Sequence, residues 1–236
     1  MQSWQEEMLT TIGAPDLTEA EVFARALTAA KALGFDYCAY GVRLPLPFTR
    51  PQTASVNNYP TEWQKRYMEA NYLAADPTVA LGQTSCLPML WSDELFANAK
   101  PLWDEARSVG LRFGWAQSSL DGVRAGLLTL ARSHEAITPS QLQASELNMR
   151  WLANMVHVAL ARRLTTQFVE AAPVLTAREI EVLRWSADGK TAPEIGDILE
   201  VANSTVVFHV ANAMRKLNVS SRTAATVKAA MLGLLG

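Results

Sequence analysis

The sequence predicts an α+β protein with two domains: an α/β/α sandwich with a mainly antiparallel sheet, then an all-α domain of four helices. Three observations support this. The 236 residues are too many for one ordinary small domain and suit two. Residues 1–168 mix helical and strand patterns. After a linker at residues 169–174 the strand signals stop, and residues 175–236 contain four short helical segments.

The first elements of the chain alternate between helix and strand. In chain order they are a helix over residues 17–33, a strand over 35–40, a proline-rich loop over 44–52, a strand over 53–58, and helices over 61–71 and 93–109. Asp16 or Thr18 is expected to cap the first helix, and Gly34 to end it.

A β-hairpin and a long helix complete the first domain. The hairpin joins residues 112–120 to residues 124–132 through Asp121-Gly122, a favoured turn pair, and it indicates an antiparallel sheet. The helix begins at Thr138-Pro139 and is predicted to continue to about residue 168. Its apolar stripe comprises Leu142, Leu147, Trp151, Leu152, Met155, Val156, Leu160 and Leu164. Within that stripe, Trp151, Met155 and Leu160 fit either a seam between two copies of the chain or burial against the domain's own sheet.

Composition places the chain among globular proteins. Hydrophobic residues make up 49% and charged residues 19%, which favours a packed core and excludes disorder. The two cysteines, Cys38 and Cys86, fit neither a disulfide framework nor a Cys-rich metal site. The acidic start does not resemble a signal peptide, and no run approaches the ~18 apolar residues that span a bilayer. We therefore expect a soluble, cytoplasmic protein with no membrane partner.

Positive charge is concentrated at the end of the chain. Residues 1–172 carry 14 Lys and Arg against 17 Asp and Glu, whereas residues 173–236 carry 7 against 6. No acidic residue follows Glu200, so Arg215, Lys216, Arg222 and Lys228 are uncompensated in sequence. Such a segment favours an anionic partner such as nucleic acid. A solvated helix face is the alternative.

The last domain contains successive helix-start signals. Thr176 is predicted to be an N-cap with Glu179 as its capping-box partner, and Gly189 ends that helix. Thr191 is expected to cap a second short helix and Ser204 a third. Two short helices joined by a few residues, the second polar and basic outside, are typical of a helix-turn-helix motif.

The third of these helices has distinct inner and outer faces. Val206, Val210, Ala213 and Leu217 recur at helical spacing and should face the core. The outward positions are Thr205, Val207, Ala211, Asn212 and Arg215. A helix of this size fits the major groove of DNA, where side chains read base edges while Lys and Arg hold phosphates.

Residues 175–217 resemble the DNA-binding domain of LuxR-type regulators. They contain L-T-x-R-E-x-E-V-L, A-x-G-K-T-x-x-E-I and S-T-V-x-F-H-V-x-N-A-M-R-K-L. The DNA-binding positions that the motif and the resemblance imply are Thr191, Ser204, Thr205, Val207, Ala211, Asn212, Arg215 and Lys216. Val207 and Ala211 are apolar where relatives often have Lys or Arg, so base recognition through methyl contacts is expected there.

The first domain contains a spaced set of aromatic residues and one carboxylate. Its spacing is Tyr59-x3-Trp63-x3-Tyr67-x8-Asp76-Pro77, followed by Trp91, Gly110 and Gly114. Each aromatic residue on its own fits ordinary core packing. Asp76 lies among apolar residues, where a carboxylate rarely enters unpaired, and a loop-capping role is its alternative.

This spacing is similar to the ligand-binding domain of the acyl-homoserine-lactone receptors in the same family. The resemblance implies that Trp63 donates to the lactone carbonyl and that Asp76 accepts from the amide N–H. It further implies that Tyr59 donates to the acyl carbonyl, with Thr129 a candidate for the same region. Tyr67, Trp91 and Trp103 would form walls. Asp, Trp N–H and Tyr O–H complement the polar groups of such a ligand one for one.

The combined resemblance predicts a quorum-sensing transcriptional regulator that is not an enzyme, with an acyl-homoserine lactone as its ligand and neither cofactor nor metal. A homodimer on pseudo-palindromic promoter DNA is expected, since one reading helix covers only a half-site. RNA polymerase is a further candidate partner. Because buried polar groups without a ligand cost about 1–3 kcal/mol each, ligand binding should be coupled to folding or dimerisation. The alternatives are a regulator that responds to another small molecule or to none, and an enzyme that degrades such signals.

Overall fold

The computed structural model describes residues 6, 11, 12, 14, 16–44, 47, 49–121, 124–165 and 174–236. The described chain divides into two compact units. The helices and strands of the first unit are α1 (Glu19–Ala32), β1 (Tyr37–Leu44), β2 (Gln52–Asn57), α2 (Thr61–Glu69), α3 (Pro77–Gly82), β3 (Met89–Leu90), α4 (Lys100–Ser108), β4 (Phe113–Asp121), β5 (Arg124–Arg132) and α5 (Pro139–Thr165). Those of the second are α6 (Ala177–Ala187), α7 (Ala192–Leu199), α8 (Asn203–Lys216) and α9 (Arg222–Met231).

The first unit is built on one antiparallel sheet with the strand order β2-β1-β5-β4-β3. In register, Tyr40 of β1 pairs with Leu128 of β5, and Thr129 of β5 pairs with Ala116 of β4. Side chains alternate between the two faces of a strand, so β1 sends Cys38, Tyr40 and Val42 to one face and its odd-numbered residues to the other. The predicted antiparallel α/β/α sandwich is confirmed.

The long helix α5 and the helix α1 cover one face of the sheet. Their apolar stripes pack with the even-numbered residues of β1 and with Trp115 to form the largest apolar cluster of this unit. Cys38 is an ordinary member of that core, and burial raises the pKa of its thiol to about 12. Thr18 caps α1 through a capping box with Glu21, and Gly34 follows that helix at φ +87°.

A second apolar cluster covers the opposite face of the sheet, where α2 and α4 contribute Trp63, Leu102 and Trp103. The helix predicted over residues 93–109 is shorter than expected, because α4 begins only at Lys100 after a 3-10 turn at Ala97–Ala99. Pro101, which has no backbone N–H, lies in the first turn, where a helix needs none. The α2 helix ends at Glu69, and Asn71 adopts φ +52° beyond it.

The remaining strand predictions differ from the structure by a few residues. β1 begins at Tyr37 and extends to Leu44, since it pairs with a neighbour on both sides. In the hairpin, Asp121 pairs with Arg124, whereas Gly122 of the predicted turn lies outside the described residues. The predicted extension of α5 to residue 168 also ends outside them, as does most of the predicted linker at 169–174.

The structure decides how the apolar stripe of α5 is used. Met155 and Leu160 are buried against the domain's own sheet, and Trp151 is partly buried beside them. Of the two alternatives for this stripe, burial against the domain's own sheet therefore applies to Met155 and Leu160. Leu147, a member of the predicted apolar stripe, is exposed, and so is Val158.

The second unit is a four-helix domain, as predicted. Capping boxes begin α6 at Thr176 with Glu179 and α7 at Thr191 with Glu194. The prediction that Ser204 caps α8 is wrong: Ala202 occupies the N-cap position, and Ser204 is already within the helix. Within the part of the chain that the structure describes, no helix combines the length and the apolar character needed to cross a membrane.

Candidate functional site

The first unit contains a cavity of about 830 Å³, open to solvent, between the sheet and the second apolar cluster. The odd-numbered face of β1 forms part of the cavity wall, and residues of β2, β5, α2 and α3 form others. Small-molecule sites commonly occupy about 300–1,000 Å³ and combine apolar walls with a few polar groups. All seven predicted ligand-binding residues line this one cavity: Tyr59, Trp63, Tyr67, Asp76, Trp91, Trp103 and Thr129.

Aromatic rings form two adjoining clusters in the cavity wall. Trp63 lies 5.8 Å from Tyr67 and 6.0 Å from Tyr72, measured between ring centroids. Phe96 stacks on Trp103 with ring centroids 4.7 Å apart, and Trp91 meets the face of each at nearly a right angle. These offset and edge-to-face pairs fix the ring orientations beyond what burial alone achieves.

Asp76 is held at the N-terminus of α3 as its N-cap. Its Oδ1 accepts from the backbone N–H of Thr78 at 2.8 Å and from the Thr78 hydroxyl at 2.6 Å. Its Oδ2 accepts from the hydroxyl of Tyr67 at 2.9 Å. The capping alternative is therefore what the structure contains, and the carboxylate also lines the cavity. A carboxylate has about four acceptor positions, so one position on Oδ2 remains.

The tyrosines of the cavity are neutral hydrogen-bond donors. Burial raises the pKa of Tyr67, and the nearby charge of Asp76 raises it further. Burial likewise raises the pKa of Tyr59, with smaller contributions from Cys38 and Asp76. Both hydroxyls therefore keep their protons near neutral pH.

The indole N–H groups of the two wall tryptophans differ in their partners. Trp103 Nε1 donates to Asp93 at 2.6 Å, and the guanidinium of Arg107 lies 4.9 Å above the Trp103 ring. Trp91 Nε1 is buried and has no hydrogen-bond partner among the described residues. A buried N–H without a partner costs about 1–3 kcal/mol, so Trp91 retains an unused donor beside the cavity.

Several polar lining residues were not predicted from the sequence. Thr53, Ser55, Asn57, Gln64 and Ser118 also line the cavity. The hydroxyl of Ser118 donates to the Gly82 carbonyl at 2.6 Å, which fastens the end of α3 to the sheet. The alternation of small polar residues along β2 was the available signal, because every second residue of a strand shares one face. Within the described residues no cluster of His, Cys, Asp and Glu is arranged to hold a metal.

The second unit contains a tight helix-turn-helix formed by α7 and α8. A Cβ atom on Gly196 would lie 2.8 Å from the Val201 carbonyl oxygen, so only glycine allows this approach. Glu200 adopts φ +54° and makes the turn between the helices. Val206, Val210, Ala213 and Leu217 are buried as predicted.

The predicted DNA-binding side chains lie in different surroundings. Thr191, Ser204, Val207, Ala211 and Arg215 are exposed, and Thr205 and Asn212 are half-buried. Arg215 donates to the side-chain oxygen of Asn212 at 2.9 Å.

Lys216 is also exposed, but its ammonium is paired with a buried carboxylate. Its Nζ lies 2.7 Å from the buried carboxylate of Glu179. Burial opposes ionisation of Glu179, but the Lys216 ammonium and the Thr176 backbone N–H outweigh it, so the pKa of this carboxyl lies below its usual value.

Comparison with known proteins identifies both units. Residues 18–160 match the autoinducer binding domain, and residues 173–229 match the bacterial regulatory proteins of the luxR family. The chain belongs to the LuxR family of quorum-sensing transcriptional regulators, as the resemblance predicted. Members of this family are transcriptional regulators, so the enzyme alternative is wrong. An autoinducer-binding domain takes an acyl-homoserine lactone as its ligand rather than holding a cofactor.

Individual relatives resemble the chain over its full length. It is 45% identical to the transcriptional activator protein AnoR of Acinetobacter nosocomialis, covering 100% of both chains. The crystal structure of Escherichia coli SdiA matches with a TM-score of 0.86 at 36% identity, covering 99% of this chain and 98% of that one. SdiA in complex with octanoyl-rac-glycerol matches with a TM-score of 0.84 at 36% identity, covering 100% and 98%.

Proposed function

We propose that this chain is a homodimeric regulator that binds an N-acyl-homoserine lactone in the cavity and a pseudo-palindromic promoter site through α8. The observation that carries the ligand proposal is that a carboxylate, an indole N–H without a partner among the described residues and aromatic walls line one cavity. The functional division is a sensor domain over residues 1–168, a linker over 169–174 and a DNA-binding domain over 175–236. The protein acts in the cytoplasm, where its DNA and RNA polymerase are found.

The polar head of the ligand is assigned to specific side chains. Trp63 donates to the lactone carbonyl, and the free position on Asp76 Oδ2 accepts from the amide N–H. Tyr59 donates to the acyl carbonyl, with Thr129 beside it on β5. Tyr67, Trp91 and Trp103 pack against the ligand, and the unpaired N–H of Trp91 is a further donor. A hydrogen bond to a charged acceptor contributes about 1.5–3 kcal/mol, which makes Asp76 the largest single polar contact.

The ligand proposal is tested by thermal denaturation with a series of acyl-homoserine lactones. The melting temperature should rise with ligand concentration, because a ligand that binds only the folded state stabilises it by mass action. Asp76→Asn should weaken binding about 10- to 100-fold, the loss expected for a charged hydrogen bond. Asn also caps helices well, so the fold of α3 should survive the change. Asp104→Asn, the same change at an exposed position of α4, is the matched control.

The outcome that would contradict this assignment is equal lactone binding by Asp76→Asn and wild-type protein. Absence of stabilisation by every lactone would reject the ligand class itself. Mass spectrometry of the small molecule that co-purifies with the protein would then identify the alternative.

One observation favours a second candidate ligand, a neutral acyl compound other than a lactone. Asp76 is already satisfied by Thr78 and Tyr67, so the cavity does not require an amide donor. The related SdiA is in complex with octanoyl-rac-glycerol. Stabilisation by octanoyl glycerol but by no lactone, with no effect of Asp76→Asn, would establish this alternative.

The homodimer is assigned to the exposed face of α5. Leu147 and Val158 are 77% and 71% exposed, and they flank the partly buried Trp151 at spacings of four and seven residues, on one helix face. The buried Nε1 of Trp151 has no partner among the described residues. Sedimentation of the lactone-loaded protein with DNA should give a dimer at micromolar concentration, and Leu147→Asp with Val158→Asp should give a monomer. A wild-type protein that stays monomeric under these conditions contradicts the proposal.

The remaining DNA contacts are assigned to α7 and α8. The DNA backbone and the base edges are contacted by five residues: Thr191, Ser204, Thr205, Asn212 and Arg215. Lys216 is left out of this assignment, because its ammonium is paired with Glu179.

A further inference from the structure

The exposed face of α8 is apolar in its first turns. Ser204, Val207, Phe208 and Ala211 stand at spacings of three, four and seven residues, so they share one face. Val207 is 52% exposed and Phe208 is 61% exposed.

This apolar face has no role in the core of its own unit. The opposite face of α8 supplies the buried residues Val206, Val210 and Ala213. Adjacent exposed apolar side chains on a small domain mark a contact surface. They lie on the second helix of the helix-turn-helix, whose N-terminal residues contact base edges.

The first three turns of α8 carry no Lys or Arg side chain. Residues 203–214 contain no Lys or Arg. The first cations are Arg215, which donates to Asn212, and Lys216, which is paired with Glu179. Recognition of guanine by Arg or Lys is therefore not available from the first three turns of α8.

A single base presents an apolar group in the major groove, and that base is thymine. Its 5-methyl group is contacted by Ala, Phe and the methyl groups of other side chains, whereas the other bases present donors and acceptors. We propose that Val207, Phe208 and Ala211 read thymine methyl groups, so that each half-site has thymines opposite the first turns of α8. This inference rests on the proposed binding of promoter DNA.

The test begins with selection of duplexes from a random library. The full chain is used, loaded with a mixture of unsubstituted, 3-oxo and 3-hydroxy acyl-homoserine lactones. We expect enriched thymines in both half-sites. Each is then replaced by deoxyuridine, which lacks only the 5-methyl group. Each contacted methyl should cost about fourfold in affinity, the equivalent of about 0.8 kcal/mol per buried carbon.

Val207→Lys tests the side chain itself. It should change the base selected at one position toward guanine, which Lys recognises at O6 and N7, and abolish the deoxyuridine effect there. Val174→Lys, which adds the same charge at a highly exposed position before α6, should leave the selected sequence unchanged. The exposure of Val207 makes a folding defect unexpected, and the deoxyuridine series on wild-type protein is independent of any variant.

The outcomes separate this inference from the proposed function. If no sequence is enriched, specific DNA binding fails, and the inference fails with it. If a site is enriched but deoxyuridine has no effect at any position, DNA binding stands and methyl recognition is overturned. An unchanged site for Val207→Lys likewise overturns it and leaves the apolar face to a protein partner.

Discussion

Gly114→Ala tests the construction of the cavity wall. The backbone N–H of Trp91 donates to the Gly114 carbonyl at 2.9 Å, which brings the indole directly over this residue of β4. A Cβ atom on Gly114 would lie 2.2, 2.5 and 2.6 Å from three carbons of the indole ring. Because nonbonded carbons approach to about 3.5 Å, the ring would have to move by more than about 1 Å. Trp103 and Phe96 pack against the same ring and leave little room.

The expected cost follows from this overlap. Overpacking of a core site costs about 1–3 kcal/mol, which lowers the melting temperature of a domain of this size by about 2–12 °C. The shift is measured by near-ultraviolet circular dichroism with and without lactone, and ligand affinity should fall as well. Gly41→Ala is the matched control, since a Cβ there meets its nearest atom at 3.9 Å, an ordinary contact. It should be neutral or slightly stabilising, because alanine restricts the unfolded chain.

A double-mutant cycle makes the prediction refutable. In a Trp91→Ala background, Gly114→Ala should lose most of its cost, because the clashing ring is gone. An equal penalty with and without Trp91 would show that the indole is not the obstacle. Equal melting of Gly114→Ala and Gly41→Ala would refute the overlap itself.

Three further predictions concern charge and backbone. Lys216→Met should leave the buried carboxylate of Glu179 without its ammonium partner, and urea denaturation should show the second unit destabilised by about 1–3 kcal/mol. The double variant with Glu179→Gln should recover stability. Because the pKa of Glu179 is depressed, the pair stabilises the unit above about pH 4.5, and this contribution is lost as the pH falls further. Burial lowers the pKa of His157, whose Nδ1 lies 2.8 Å from the Tyr40 hydroxyl. The stability of the first unit should therefore fall as the pH drops below about 6.5, and the melting temperature of His157→Asn should depend less on pH than that of the wild-type protein. Gly196→Ala should weaken DNA binding at least tenfold in fluorescence anisotropy, because the new Cβ atom would clash with the backbone oxygen of Val201 in the helix-turn-helix. Lactone binding should be unchanged.

The fold was predictable where local signals agreed with tertiary packing. The capping boxes at Thr176 and Thr191 and the pairing of Asp121 with Arg124 depend on residues close in sequence, and these elements were predicted within a few residues. The start of α4 was not predicted correctly. Residues 93–99 have helical periodicity, but the carboxylate of Asp93 accepts a hydrogen bond from the Trp103 indole N–H. That contact joins residues ten apart, and periodicity contains no information about it.

Seven of the residues that line the cavity were predictable as a set, but the hydrogen-bond partners of their side chains were not. The family resemblance implied a common site for residues that the structure places around one cavity. It did not predict that Trp103 donates to Asp93 while Trp91 has no partner among the described residues. The two tryptophans differ because only Trp103 can reach a carboxylate, which depends on the packing between α4 and the segment before it.

The hydrogen bonds of Asp76 within the protein are distinct from the contact proposed between Asp76 and the ligand. Thr78 and Tyr67 satisfy three of about four acceptor positions, so the ionised carboxylate is stable without ligand and α3 stays capped. An arriving amide N–H uses the remaining position without displacing a protein donor, and that preorganisation favours binding. The polar group beside the cavity that the described residues leave without a partner is instead Trp91 Nε1. A ligand that fills the cavity and pairs the Trp91 N–H is therefore expected to stabilise the first unit, and the proposed contact with Asp76 is expected to set which head group is preferred.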